Sequence, residues 1–92
     1  RMYVAADTSN LKVCVRVMGE APGRPCAMAS VRVSEGVTIC GIRIYSSRGR
    51  LSVVYPYLRE GKKQMPAVVI SGPVKLKLTD LILEAYEYER MR

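Results

Sequence analysis

Residues 11–18, LKVCVRVM, alternate in steps of two: Leu11, Val13, Val15 and Val17 fall on one face, Lys12, Cys14, Arg16 and Met18 on the other. A period of two, enriched in β-branched residues, predicts a half-buried strand. The next stretch, GEAPGRPC (19–26), holds two prolines and two glycines and predicts a loop. AMASVRV (27–33) resumes the strand pattern, and Ser34-Glu35-Gly36 turns into VTICGIRIY (37–45). There Thr38, Cys40, Ile42 and Ile44 share one face and Val37, Ile39, Gly41, Arg43 and Tyr45 the other. Apolar residues on both faces predict a central strand, with Gly41 marking a bulge or a close approach. Ser46-Ser47-Arg48-Gly49-Arg50 reads as a hairpin turn in which Gly49 supplies the permissive backbone. A strand over 50–57, a polar loop LREGKKQ (58–64) and a short strand PAVVI (66–70) follow.

At Ser71-Gly72-Pro73 the period changes. Ser71 or Gly72 suits a helix N-cap, with Pro73 in the first turn, where its missing N–H costs nothing. Beyond it Val74, Leu78, Leu81, Ile82, Ala85 and Tyr86 recur at helical spacing with acidic residues opposite. Such an amphipathic helix must lay its apolar stripe on one face of the preceding sheet. The expected fold is α+β: an antiparallel β-sheet meander of about five strands closed by one C-terminal α-helix. The 92 residues suffice for a single domain, with residues 1–10 expected to form a poorly ordered N-terminal extension. Arg1 in place of Met is what a processed or excised segment would show.

If the helix covers Leu11, Val13, Val15 and Val17, then Lys12 and Arg16 point the other way. By the same alternation Arg32 and Arg43 join them on the polar face. The total charge reinforces this picture: fifteen Lys and Arg stand against eight Asp and Glu, a net +7. Thirteen basic and four acidic residues lie between Arg1 and Leu78, whereas Thr79–Arg92 holds two basic and four acidic ones. The positive field therefore belongs to the body of the domain and the start of the helix. Such a field concentrates polyanions.

Several other chemistries lack their residues. The chain has no histidine, so no Ser-His or Cys-His pair and no usual general base near neutral pH. Neither phosphate-binding glycine motif occurs. We therefore expect no enzyme and no cofactor. Cys14, Cys26 and Cys40 are widely spaced, an odd count that argues against a disulfide framework. Cys14 and Cys40, inside strand patterns, are expected to pack as small apolar residues. Reduced thiols fit a cytoplasmic location. No apolar run approaches the roughly 20 residues needed to cross a bilayer, and no secretory signal is visible. Phe and Trp are absent and the six tyrosines are scattered, so the sheet lacks an RNA-recognition aromatic motif. Tyr45, Tyr55 and Tyr57 have rings able to stack on bases, yet tyrosines in strands more often pack.

The stretch AMASVRVSEGVTICGIRIYSSRGRLSVVYPYLR (27–59) resembles the SpoVG family, the septation and stage V sporulation regulators of bacteria. Its motifs occur in order: Ala27, Ala29, Ser30 and Val31; then Ile42, Arg43 and Ile44; then Leu51, Val53 and Pro56. LTDLILEAY resembles the family helix, with Tyr86 matching its closing tyrosine. Departures are Gly41 in place of aspartate, Arg50 in place of glycine, Tyr55 in place of methionine, and residues 1–10 beyond the usual start. The resemblance implies a homodimer, a sheet with a C-terminal helix, and binding of DNA or RNA in gene regulation, septation or sporulation. It also implies DNA contact by basic residues near the helix start, here Lys75 and Lys77.

The sequence thus points to a non-catalytic nucleic-acid-binding regulator working mainly through phosphates. Its expected contacts are Lys75 and Lys77, Arg48 and Arg50 in the turn, Arg59, Lys62 and Lys63 in the next loop, and Arg43. The alternative is a protein-interaction module that pairs through a sheet edge without nucleic acid.

Overall fold

The computed structural model describes residues 10–92, so the extension expected over 1–10 lies, except for Asn10, outside the described residues. Strands β1 (Lys12–Val17), β2 (Ala27–Ser34), β3 (Val37–Ser47) and β4 (Arg50–Val54) form one antiparallel sheet in the order β1-β2-β3-β4. A separate hairpin follows, β5 (Tyr57–Glu60) with β6 (Lys63–Pro66), and helix α1 (Gly72–Arg90) closes the chain. The α+β meander with one C-terminal helix is as the hydrophobic pattern requires, with six strands in place of about five.

Helix α1 packs chiefly on β1. Leu78, Ile82 and Tyr86 are its buried residues. They meet Val15, Ala27, Ala29, Val31, Ile42 and Ile44, and Cys26 from the loop, in a single core. Pairing shows why these residues share a face: Val15 lies opposite Ala29, Ala29 opposite Ile42, Ala27 opposite Ile44, and Ile44 opposite Val53. Directly paired residues project to the same side of a sheet. At its start the helix has Ser71 in an extended conformation and Pro73 in the first turn, and the Lys75 N–H donates to the Ser71 carbonyl at 2.8 Å.

Several expectations need correction. In β3, Ile39 sits opposite Val31 while Ile42 sits opposite Ala29, so Cys40 and Gly41 together face Ser30 alone. This is a β-bulge, and Gly41 adopts φ +79° to make it. The extra residue resets the alternation. Ile39, Ile42 and Ile44 therefore all reach the core side, whereas simple alternation put Ile39 opposite to Ile42.

The expected strand over 50–57 stops at Val54, because Pro56 has no N–H to offer a ladder. The expected loop 58–64 is instead most of the β5–β6 hairpin, turned by Gly61 (φ +61°) and Lys62. The run 66–70, read as a strand, finds no strand partner. Apart from Pro66 at the end of β6 it is irregular, held by the Ala67 N–H donating to the Pro56 carbonyl at 2.9 Å. Finally, the cysteines exchange roles: Cys26 in the loop is buried, while Cys14 and Cys40 are exposed. Both exposed cysteines lie on or beside the side of the sheet that the helix leaves open.

Candidate nucleic-acid interface

The helix-free face follows from the strand register. Lys12 lies opposite Arg32, Cys14 opposite Ser30, Arg16 opposite Met28, Met28 opposite Arg43, and Arg43 opposite Val54. Tyr45 lies opposite Ser52, and Ser47 opposite Arg50. One face therefore carries Lys12, Arg16, Arg32, Arg43 and Arg50 and no carboxylate at any paired position. Lys12 and Arg32 face each other directly, an arrangement that costs stability unless an anion relieves it. Glu35, in the β2–β3 turn, borders a shallow cleft with this pair but forms no ion pair with either.

Ion pairs among the described residues are confined to the end of α1, Arg90 with Glu87 at 3.1 Å and Arg92 with Glu89 at 3.2 Å. The acidic residues Asp80 and Glu84 are exposed on the same helix, away from the sheet. On the open face, the cations are therefore not paired off with carboxylates. Cations left without carboxylates keep their field for a ligand.

No family model, curated protein or solved structure matches the chain.

The residues expected to make contacts fall into three places. The first is the edge of the open face. Arg43 reaches from β3 over the ring of Tyr57 in β5, with its guanidinium carbon 5.4 Å from the ring centre. Tyr45, two residues along β3, and then Tyr57 act most strongly on the Arg43 guanidinium and raise its already high pKa. The Tyr57 phenol is in turn drawn below its ordinary value, first by Arg43 and then by Arg59. Arg43, Tyr45, Tyr57 and Arg59 thus form one cluster. Lys62 and Lys63 are exposed at the tip of the same hairpin, where Lys63 pairs in register with Glu60.

The second place is the start of α1. The Lys75 ammonium lies 5.3 Å from the centre of the Tyr55 ring. Tyr55 is fixed from behind by a hydrogen bond shared between its hydroxyl and that of Thr79, 2.7 Å. Burial raises the Tyr55 pKa and Thr79 opposes the change. Lys75 also lines a cleft of about 440 Å³ between the end of β4, the β5–β6 hairpin and the 67–70 segment. Lys77 does not join Lys75. At two residues apart on a helix the two project about 200° from each other.

The third place is the β3–β4 turn. Arg48 and Gly49 both have positive φ, +54° and +76°, which makes a two-residue type I′ turn. The turn lies by the C-terminal half of α1, where Gly49 borders a cleft with Glu20, Glu87 and Arg90. Arg48 and Arg50 are therefore remote from Lys75, which sits at the opposite end of the helix. The alternation that placed Arg43 on the polar face also marks Lys12, Arg16 and Arg32, three cations missing from the expected contacts. The pairing of Arg43 with Tyr57 had no signal in the sequence, because it depends on where the β5–β6 hairpin folds.

Proposed function

We propose that the protein is a non-catalytic nucleic-acid-binding regulator, contacting DNA or RNA mainly through phosphates. The observation that carries this reading is the open sheet face, where five cations project with no carboxylate among them and two face each other directly. A surface of that kind is costly for a purely structural face and favourable for a polyanion ligand. Lys75, Arg59, Lys62 and Lys63 extend the positive surface around the hairpin and the helix start, and Lys77 adds a cation on another side of the helix. Among the described residues no helix is long and apolar enough to cross a membrane.

The SpoVG-like motifs support a role in gene regulation, septation or sporulation, in the cytoplasm and as a homodimer. Exposed apolar side chains support a protein contact as well: Leu58 and Met65 on the hairpin, Val69 after it, and Leu76 in the first turns of α1. These residues favour a second reading, a protein-interaction module without nucleic acid. The two differ in their response to salt. Phosphate contacts release counterions and weaken steeply as salt rises, whereas apolar contacts do not.

A mobility-shift experiment on pooled DNA and RNA at low and moderate salt tests the first reading. It expects retention at low salt that fades at moderate salt, and a weaker shift with Lys75→Ala combined with Lys77→Ala. No shift of either pool at low salt rejects nucleic-acid binding.

A further inference from the structure

Resting on the nucleic-acid reading above, we infer that the open face takes single-stranded nucleic acid in preference to duplex, with Tyr57 and Arg43 as its base-stacking platform. Reading a duplex requires an element that enters a groove, most often a helix or a projecting two-stranded ribbon. Helix α1 is unsuited to it, and the two-stranded ribbon β5–β6 is tied at its base to the sheet by Tyr57 under Arg43. The helix lies along the sheet with Leu78, Ile82 and Tyr86 buried, and beyond the exposed Lys75 and Lys77 of its first turns its outer side carries Asp80 and Glu84, which phosphates repel. The open face of a sheet touches the rounded backbone of a duplex over little area, whereas a single strand can lie along it with its bases turned down.

The details of the face fit that geometry. Cys14 and Ser30 are paired at the centre and the Cys40-Gly41 bulge sits beside them, so the middle of the face has low relief and a chain can approach closely. Cations flank this floor. At one edge stands Tyr57, half-buried, with the Arg43 guanidinium 5.4 Å from its ring centre. Single-stranded bases stack on aromatic rings and on guanidinium planes alike, and any base has a face to offer. The Tyr57 ring, the Arg43 plane and Tyr45 beside them supply such surfaces, and the exposed Arg59, near enough to act on the Tyr57 phenol, adds positive charge beside them.

Fluorescence anisotropy with labelled oligo-dT and oligo-U of about 20 nucleotides, and with a duplex of similar length, tests the inference at about 50 and 200 mM salt. Either single strand should bind at least about 10-fold more tightly than the duplex, since stacking is added to the phosphate contacts. Tyr57→Leu should weaken single-strand binding roughly 5- to 100-fold and leave duplex binding in place, while Tyr57→Phe keeps the wild-type affinity. Arg43→Lys, which retains the charge and loses the plane, should weaken single-strand binding in the same direction. This second variant guards against a packing defect in Tyr57→Leu, and a thermal melt of each confirms that it folds. Duplex binding as tight as single-strand binding overturns the inference, as does wild-type affinity in both Tyr57→Leu and Arg43→Lys. Failure of the underlying reading looks different: neither single strand nor duplex binds at low salt.

Discussion

Gly41 forms the bulge that brings Ile39, Ile42 and Ile44 to one side of β3, and its replacement gives a sharp test of the fold. The residue has φ +79°, and a methyl group built on it would meet only the Pro56 side chain, at 4.0 Å. That distance is ordinary contact, so Gly41→Ala isolates the backbone term from any clash. Forcing an L-residue into the left-handed region costs roughly 1–2 kcal/mol. The stiffer unfolded chain of alanine offsets about 0.4–1 kcal/mol of that. A net loss near 1 kcal/mol remains, and for a domain of this size it lowers Tm by about 4–8 °C. Gly41→Asn should cost less, because asparagine tolerates this region, and Gly41→Val more, because it is β-branched. Gly72→Ala serves as a control of opposite sign. Gly72 opens α1 with no positive φ and open space around it, so alanine there should hold or raise Tm. The assay is thermal and urea unfolding by circular dichroism, with an unchanged urea m-value showing that the native and unfolded surfaces are retained. A Gly41→Ala protein that melts at or above the wild type would refute the bulge. Deleting Gly41 outright would leave Cys40 alone opposite Ser30 and keep Ile39, Ile42 and Ile44 on the core side by plain alternation, so a cooperative transition should remain.

Arg48 is held at φ +54° without being glycine, so Arg48→Asn should stabilise the type I′ turn by about 0.5–1 kcal/mol and raise Tm by a few degrees. An unchanged or lower melting temperature would contradict the turn geometry. The Tyr86 phenol is pushed up to about 12 by Cys26 beside it and by burial. Because its folded pKa lies above the unfolded value near 10, this contribution is complete below pH 10 and is lost as pH rises through 12. Urea titrations should show stability falling across that window in the wild type and much less in Tyr86→Phe. Cys14 and Cys40 are exposed and Cys26 is buried, so iodoacetamide followed by mass spectrometry should add two groups quickly and the third only on unfolding. Rapid triple labelling would contradict the loop packing around Cys26.

Elements that bury one face were legible in the sequence. The alternation of 11–18 placed Val15 inward and Lys12 and Arg16 outward, as the β1–β2 pairing has them, and the helical stripe identified Leu78, Ile82 and Tyr86. The β5–β6 hairpin was not legible because it buries little. Leu58 and Met65 remain 60% and 42% exposed, so no apolar alternation is required there. The next run misleads for the converse reason: Val68, Val69 and Ile70 are apolar, but they join neither sheet. In β3 a single bulge residue reversed the phase, which a strict period of two cannot register. For the candidate site, four cations on one face could be counted from spacing alone. The cluster of Arg43 with Tyr57 and Arg59 could not, since it joins elements that only the folded chain brings together.

The slope of log binding constant against log salt concentration for a single-stranded oligonucleotide tests the central claim most directly. It should be measured on the wild type and on a protein carrying Lys12→Gln, Arg16→Gln and Arg32→Gln. Each phosphate contact on a single strand contributes about 0.7 to the slope, so removing three should make it shallower by about 2. A slope identical in the two proteins would show that the open face of the sheet is not where the nucleic acid lies.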